Sequence, residues 1–425
     1  MKRLKKWLIW GVLGIVATIA CLGIYVALAS WRAGARLEAL LTPIREAGDP
    51  LGLADLARAP IPPENNAAVF LRRAENDLQA LGKEFLPLDV ESSGHYRDDR
   101  LTDSGAAIIR GALDAYPNVL PLIEQAASSS DYDPQYDYTL PPADFQERYL
   151  LRPQAIRQVA RWLQWRSDLL RHEGQSEAAL RNDLLLWRLI PHFDREPLIV
   201  GRLVAIALRG RAVHMTAQLL ADEPISTELR QELDRELAKH LDPKPILWAL
   251  KSERAFGIDY FQYFYDSAVA GWWFKDDECD YLELLSGQLE LAAAPRYQVA
   301  PRLAKRKLKS AGVGALTALV APATQALRDA EDRVRAGVQC LRVLAALLAY
   351  VERTGDERPE LAALGLPVEW TTDPYDGRPL RFKKTERGWL VYAVGNNLKD
   401  DGGDLKDRAD VGVGPEGLEP IRRVP

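Results

Sequence analysis

An uncharged apolar run at residues 7–30 constrains this chain more than any other feature. At a rise of ~1.5 Å per residue, a helix of this length spans the ~30 Å hydrocarbon core of a bilayer. The run therefore predicts a transmembrane anchor that contacts the lipid bilayer through residues 7–30. A secretory signal cleaved after Ala29 is the alternative, although the apolar segment of such signals usually has only ~7–15 residues.

The basic residues on the two sides of this run predict its orientation. Four precede it, namely Lys2, Arg3, Lys5 and Lys6, whereas Arg32 and Arg36 follow it. Because the flank richer in Lys and Arg usually stays in the cytoplasm, we expect a single-pass protein of the inner (cytoplasmic) membrane with an extracytoplasmic body. Cleavage after Ala29 would release that body in a secreted form.

Composition and cysteine content exclude some classes of protein. The 425 residues carry a formal net charge of −5, which argues against nucleic acid as a partner because phosphate binding needs a concentrated basic surface. Three cysteines are too few for a disulfide framework. Cys21 lies in the apolar run, and Cys279 and Cys340 are either a disulfide pair or two separately buried thiols.

Periodic apolar residues predict a mainly α ectodomain over residues 31–300. Helices are expected at about 31–47, 64–81, 105–116, 143–172, 196–220 and 227–240, and a further one begins near Ser176. The helices on either side of Gly174 form an antiparallel helical hairpin. The proline-rich entry to the second helix, which ends in Glu64-Asn65-Asn66, resembles a segment of single-span membrane-anchored bacterial proteins, and this resemblance implies no activity.

Residues 301–425 form the third predicted unit, after the anchor (1–30) and the helical ectodomain (31–300). A small-residue-rich helix is expected from about Ala311 to Arg353, interrupted by Pro322. Two strands follow at 380–383 and 389–394, and the Thr385-Glu386-Arg387-Gly388 turn joins them into a small antiparallel β-hairpin module. A loop rich in glycine and aspartate lies beyond it.

The order of motifs in this last unit carries a second resemblance. A helix ending at 344–350, a leucine-rich turn at 361–367, DPYDGRPLRF, WLVYAVGNN and DDGGD follow one another. Over residues 333–411 this order resembles the globular end of the major pseudopilin of type II secretion. The resemblance implies a helix packed on a small antiparallel sheet and a calcium-binding loop after the hairpin.

Carried over position by position, the resemblance implies a calcium ligand set in this loop. Asp401, Asp404 and Asp410 stand where acidic loop residues occur, and Asn397 stands where an aspartate is expected. Calcium takes six to eight oxygen ligands in flexible geometry, which closely spaced aspartates and exposed carbonyls provide. The loop is not an EF-hand, because Lys399 would occupy a ligand position. Glycine and aspartate are also ordinary turn formers.

Two other stretches combine aromatic and acidic residues. Trp272, Trp273 and Phe274 precede Asp276, Asp277, Glu278 and Asp280. These residues either form a ligand platform with carboxylates for acid/base chemistry or end a core helix in a solvated acidic turn. Residues 128–142 place tyrosines among acids, which either contact a sugar or peptide or pack the loop on helices.

Catalytic signatures are mostly missing from the sequence. It has no close histidine pair for zinc, no Gly-x-Ser-x-Gly elbow and no Walker loop. We therefore expect a membrane-anchored structural or interaction protein of the cell envelope, with an envelope protein as partner and calcium as its one candidate cofactor. An extracytoplasmic hydrolase that uses residues 272–280 is the alternative.

Overall fold

The structure, a computed structural model, describes residues 2–85, 94–97, 100–222, 225–265, 271–292, 294–299, 314–405 and 409–415. The fold is mainly α with a small antiparallel sheet near the C-terminus, as predicted. The helices are α1 (Lys2–Glu46), α2 (Ala67–Glu84), α3 (Asp103–Ala115), α4 (Val119–Ser128), α5 (Pro142–His172), α6 (Ser176–Phe193), α7 (Leu198–Asp222), α8 (Thr227–Leu237), α9 (Lys244–Tyr265), α10 (Gly271–Ala292), α11 (Ala315–Thr354) and α12 (Val368–Thr371). Short 3-10 turns lie at Leu53–Leu56, Pro63–Asn65, Ala238–Leu241 and Leu361–Leu364.

The helices begin and end where local chemistry satisfies their backbone. The Asn66 side chain accepts the Ala68 N–H and caps α2. The predicted cap of α3 at Asp103 and Ser104 is one residue late, because the Thr102 hydroxyl accepts the Gly105 N–H. Gly174, at φ +70°, makes the left-handed turn between α5 and α6, and these two helices form the predicted hairpin.

Two strands of the sheet match the predicted hairpin, and a third was missed. The strands are β3 (Arg381–Thr385), β4 (Gly388–Val394) and β5 (Asp410–Val413), and they form an antiparallel meander in the order β3-β4-β5. A separate two-stranded antiparallel ribbon consists of β1 (Tyr96–Arg97) and β2 (Arg100–Leu101). Gly412 lets β5 approach β4, because a Cβ there would lie 2.3 Å from the Val391 carbonyl oxygen.

Helix α11 joins the sheet to the helical body. It packs against β4 and β5 on one side and α7 on another. It also runs without interruption through Pro322, so the predicted break there is wrong. Its buried residues, such as Val338 and Leu344, share one hydrophobic core with α2–α8 and the sheet. Most of the predicted boundary and connector around residues 300–309 lies outside the described residues.

Helix α1 is continuous from the apolar run into the body. Its 45 residues include a segment that is long and apolar enough for a membrane anchor or a signal sequence, and none of that segment is buried against protein. A second helix, α11, meets the same length and composition test, but it is mostly buried in the core. The later part of α1 packs on α10, with Ile44 buried in a second hydrophobic cluster.

The two body cysteines are separately buried thiols. Cys279 Sγ lies 3.9 Å from the Ala33 carbonyl oxygen, and Cys340 Sγ lies 3.8 Å from that of Val411. Both are free, as is Cys21 on the exposed face of α1. The disulfide alternative for Cys279 and Cys340 is therefore wrong in this fold.

A buried acid in α6 makes the stability of this fold depend on pH. Asp183 Oδ1 accepts the Ser167 hydroxyl at 2.7 Å, and its Oδ2 has no hydrogen-bond partner among the described residues. Burial raises the pKa of Asp183 to about 7, although the nearby Arg171 opposes the increase. The native state therefore keeps a proton that the unfolded chain releases near pH 4.

We predict that Asp183→Asn removes this pH dependence. The stabilising contribution of the proton is complete below the unfolded pKa and is lost as the pH rises through about 7. The free energy of unfolding of the variant, relative to wild type, should rise between pH 5 and pH 7 by up to ~1.4 kcal/mol per pH unit and then level off. Urea unfolding at pH 5, 6, 7 and 8 measures this, with the exposed Asp114→Asn as control. Parallel pH profiles for wild type and Asp183→Asn would contradict the assignment.

Candidate functional site

The glycine- and aspartate-rich loop between β4 and β5 is closed by Asp410. Its carboxylate accepts the Gly403 N–H at 2.7 Å and the Asp401 N–H at 3.4 Å. Gly403 adopts φ +82°, which brings its N–H to this position at no steric cost. Asp410 is buried, and this burial raises its pKa despite the two amide bonds. The loop therefore has a hydrogen-bonded centre built from its own backbone.

The other predicted calcium ligands lie around this centre but do not converge. The Asn397 amide donates to the Asp401 carboxylate at 2.7 Å, and Asp404 contributes its carbonyl oxygen to the Asp410 N–H at 3.0 Å. Lys383 Nζ donates to the Gly402 carbonyl oxygen, which is one of the backbone oxygens a calcium ion would use. Within the described ranges, no group of three or more His, Cys, Asp or Glu side chains is arranged to hold a metal ion.

A neighbouring aspartate pair orders the start of the sheet module. Asp373 is fully buried and accepts N–H groups from Tyr375 and Val394, both at 2.8 Å, together with Arg381 Nη1 at 2.7 Å. Arg381 also binds Asp376 at 2.5 Å. Burial raises the pKa of Asp373 to about 6. The DPYDG sequence therefore ties the turn before β3 to the end of β4.

The acidic stretch on α10 is divided between two sides of the helix. Arg36 of α1 binds Asp276 at 2.9 Å, Asp280 at 2.8 Å and Glu283 at 2.9 Å. The i, i+4, i+7 spacing of these three carboxylates places them on one helical face. One guanidinium therefore bridges three carboxylates, and it attaches α1 to α10.

The remaining acids of this stretch face the interior. Asp277 Oδ1 accepts the Thr317 hydroxyl at 2.6 Å and the Thr317 N–H at 3.2 Å, which fastens the start of α11. Glu278 is also buried, and burial raises its pKa to about 8. Trp273 is largely exposed, and the side chain of Trp272 lies outside the described residues. The acids of this stretch are therefore divided between the contact with Arg36 and the interior of the fold.

The turn between α6 and α7 is a structural centre that sequence reasoning missed. Asp194 accepts Arg202 at 2.5 Å and Arg209 at 2.7 Å. Although burial opposes it, these two arginines hold the pKa of Asp194 below its usual value. Glu196 accepts the hydroxyls of Tyr132 and, at 2.6 Å, Tyr136. The tyrosines of the 128–142 loop are therefore packed on the helices, which confirms the structural interpretation of that loop.

Side chains of α9 satisfy the first amides of α7. Leu198 adopts φ +66° and donates its N–H to the Ser252 hydroxyl at 3.0 Å, and Ile199 donates to Glu253 at 2.9 Å. These are two of the four amides that a helix leaves without intrahelical partners. Burial raises the pKa of Glu253. This capping is hard to predict from the sequence, because the capping residues lie more than 50 positions away along the chain.

A charged groove opens between α4, α5, α6 and α8. Its volume is about 810 Å³, and its lining includes Arg166, Arg181, Arg188, Asn182 and Glu232. Arg188 pairs with Glu232, whereas Arg166 donates to the Asn182 amide oxygen at 2.9 Å. The carboxylate of Glu124, which also lines the groove, acts on Arg166 electrostatically but forms no ion pair with it within 4 Å in the described part of the chain. Burial lowers the pKa of Arg166. Because this charge is only partly compensated, the groove suits an anionic group.

Comparison with models of protein families, with curated protein sequences and with solved structures finds no match to this chain. The pseudopilin resemblance stays a prediction, since packing of one helix on a three-stranded meander occurs in unrelated folds.

We predict that Asp410→Asn destabilises the β4–β5 loop. An asparagine can accept only one of the two backbone amides and places its own NH₂ against the other, which should lower the free energy of unfolding by ~1–3 kcal/mol. Chemical unfolding measures this loss, with Asp401→Asn as a matched control because, among the described residues, the Asp401 carboxylate accepts a hydrogen bond from the Asn397 amide and from no backbone N–H. An unchanged free energy of unfolding in Asp410→Asn would contradict the role of Asp410.

The same variants test calcium. If the native loop binds the ion, the Tm of wild type rises with calcium and falls with chelator, and Asp401→Asn reduces the difference. Equal midpoints under both conditions exclude the predicted calcium site.

Proposed function

We propose that this chain is a membrane-anchored structural or interaction protein of the cell envelope, with its body on the extracytoplasmic side of the inner membrane. The observation that supports this proposal is the division of α1. None of the described side chains of its apolar segment is buried, whereas Ile44 and the residues around it pack on α10. A helix that leaves an apolar surface of this size uncovered is unstable in water and suited to a bilayer.

The continuity of α1 through the possible cleavage position supports a retained anchor. The helix continues through Ala29 and Ser30 without a break. Beyond them, Arg36 shares its charge with three carboxylates of α10, and Asp49 binds Lys251 at 2.6 Å and Arg254 at 2.7 Å. The end of the membrane segment is therefore rigidly connected to the body. Cleavage after Ala29 would remove the apolar segment and leave these contacts in place.

The groove around Arg166 supports an interaction role. An acidic segment of an envelope protein could contribute the carboxylate that Arg166 lacks, and such charge-assisted hydrogen bonds are among the stronger polar contacts. The lining of the groove also includes Leu184 and Leu185, which belong to the hydrophobic core, so a partner would contact both charged and apolar side chains.

The hydrolase alternative has less support from the geometry. It requires carboxylates that converge beside aromatic faces, whereas Asp276 and Asp280 bind Arg36 and Asp277 binds Thr317 on another side of α10. No described contact brings these groups together around a substrate-sized space. Hydrolysis by residues 272–280 stays an untested alternative.

We expect the full-length protein to remain in the membrane fraction after alkaline carbonate extraction. Protease added to the outer face of spheroplasts should digest the body and leave a short N-terminal fragment. Val16→Lys combined with Ile19→Lys should increase the soluble fraction, because a charge at the centre of the bilayer costs ~2.5–3.5 kcal/mol on insertion scales. The control is Val368→Lys, which changes an exposed residue of the body.

Three outcomes would contradict the proposal. Recovery of the full-length chain in the soluble fraction without detergent, with residues 1–30 intact by mass spectrometry, would exclude the anchor. Protection of the body from external protease would reverse the orientation. A mature protein that begins after Ala29 would establish the secreted form.

A further inference from the structure

Helices α9 and α10 form an antiparallel hairpin beside α1. The Tyr281 hydroxyl donates to the Glu253 carbonyl oxygen at 2.6 Å, and the rings of Phe261 and Tyr281 lie 5.6 Å apart. Only five residues separate Tyr265, the last residue of α9, from Gly271, the first of α10, so the last turn of α9 and the first turn of α10 lie at the same end of the hairpin. Tyr263 and Trp273 are at this end.

Helices α1 and α10 run in the same direction. Ala33 contacts Cys279, and further along both helices Leu41 and Ile44 share a hydrophobic cluster with Leu285 and Ala292. After α1 ends, Asp49 binds Lys251 and Arg254 in the middle of α9. The start of α10 consequently points toward the apolar segment of α1.

The contact between Ala33 and Cys279 shows which residues of α1 and α10 lie at the same level along the two helix axes. Trp273 precedes Cys279 by six residues, or ~9 Å along the helix axis. The same displacement on α1 leads from Ala33 to Ala27, which is inside the apolar run. The first turn of α10 therefore lies level with the end of the segment that we assign to the bilayer.

The change from apolar to charged sequence occurs at the same height on both helices. On α1 the run ends at Ser30, and Arg32 is the first charge. On α10 residues 271–274 are uncharged and Lys275 is the first charge, at the level of Ala29 by the same alignment. The carboxylates that bind Arg36 follow directly. Both helices thus change from uncharged to charged residues at the same level along their axes.

The aromatic side chains near this plane are exposed. Trp273 is 59% exposed, Tyr263 is 58% exposed and Trp31 is 71% exposed. Trp and Tyr are enriched where a membrane meets water, because their rings are apolar and carry one polar group. We propose that the α9–α10 end, through Trp273 and Tyr263, inserts into the interfacial region of the leaflet from which α1 emerges. This inference rests on the proposed function, since it takes α1 as the anchor.

Lipid is the occupant that the surroundings favour. The exposed aromatic residues continue the uncovered apolar surface of α1, and both end at one charged plane. A protein partner at this height would have to lie within the membrane interface itself. Two lipid contacts, α1 and the α9–α10 end, fix the orientation of the body, which a single helix would leave free to rotate.

This orientation places the C-terminal module away from the membrane. Thr317 binds Asp277 near the start of α11, and Gln339 binds the Glu369 carbonyl oxygen at 2.6 Å. The 22 residues between Thr317 and Gln339 correspond to ~33 Å of helix. Val368, next to Glu369 and 76% exposed, is therefore a matched exposed position far from the proposed lipid contact.

Nitroxide labels on the full-length protein in phosphatidylethanolamine and phosphatidylglycerol vesicles test the proposal. One label is attached to native Cys21, and others to Trp273→Cys and Val368→Cys in a Cys21→Ser background. Cys279 and Cys340 are buried and leave the exposed cysteine as the target. Collision rates with oxygen, which concentrates in lipid, and with a water-soluble nickel chelate report the depth of each label.

We expect the oxygen-to-nickel ratio of the label at 273 to be several-fold higher than that at 368 and to approach that at Cys21. A low ratio at 273 together with a high ratio at Cys21 would overturn the lipid contact and leave the anchor in place. A low ratio at Cys21 would instead contradict the proposed anchor. Reduced access of both probes to the label at 273 would indicate a protein occupant, such as a second copy, and would also overturn the proposal. Circular dichroism confirms that each labelled variant is folded.

Discussion

The docking of α1 onto α10 is the contact on which the position of the whole body depends. Helix α1 does not end with its apolar segment but continues into the body as one unbroken helix. Arg36 binds three carboxylates of α10, and Ile44 is buried in the cluster that α10 helps to form. Partial exposure weakens each ion pair, but removal of the arginine would leave three neighbouring carboxylates to repel one another. The acidic stretch that suggested catalysis in the sequence therefore has a structural role in this contact.

The interior of the body is organised by a second set of charges. Arg202 of α7 lies between Asp194, at the end of α6, and Glu331 of α11, with a contact of 2.5 Å to the first and contacts of 2.7–2.9 Å to the second. All three side chains are buried. Buried ion pairs gain little net stability compared with apolar packing, but loss of one partner typically costs ~3–5 kcal/mol. This network consequently specifies how α6, α7 and α11 fit together. The Glu196 contacts with Tyr132 and Tyr136 extend the same turn to the 128–142 loop.

Much of the fold could be predicted from the sequence because it depends on local periodicity and on residues with restricted backbone conformations. The α5–α6 hairpin, the existence of α2 and the β3–β4 hairpin follow from apolar spacing, Gly174 and the turn before Gly388, although α2 begins and ends about three residues later than predicted. Predictions from local sequence were wrong where a residue distant in the sequence determines the local structure. Pro322 lies within the first turns of a helix 40 residues long, and the four-residue β5 contains a glycine and forms only against β4. The predicted calcium ligands are adjacent in the sequence, but the fold directs Asp410 to backbone amides and pairs Asp401 with Asn397.

The sequence by itself determined the class of this protein: a mainly α body on one apolar N-terminal helix, with a small β module at the other end. These properties depend on hydrophobic burial and backbone propensity, which are encoded over short windows. Only the tertiary structure decided what the charged and aromatic side chains do. Arg36 and Asp276 are separated by 240 positions, and Leu198 and Ser252 by 54, yet each pair is in contact. A positively or negatively charged side chain can be solvated, paired or buried. The helices packed around it determine which of these states it adopts.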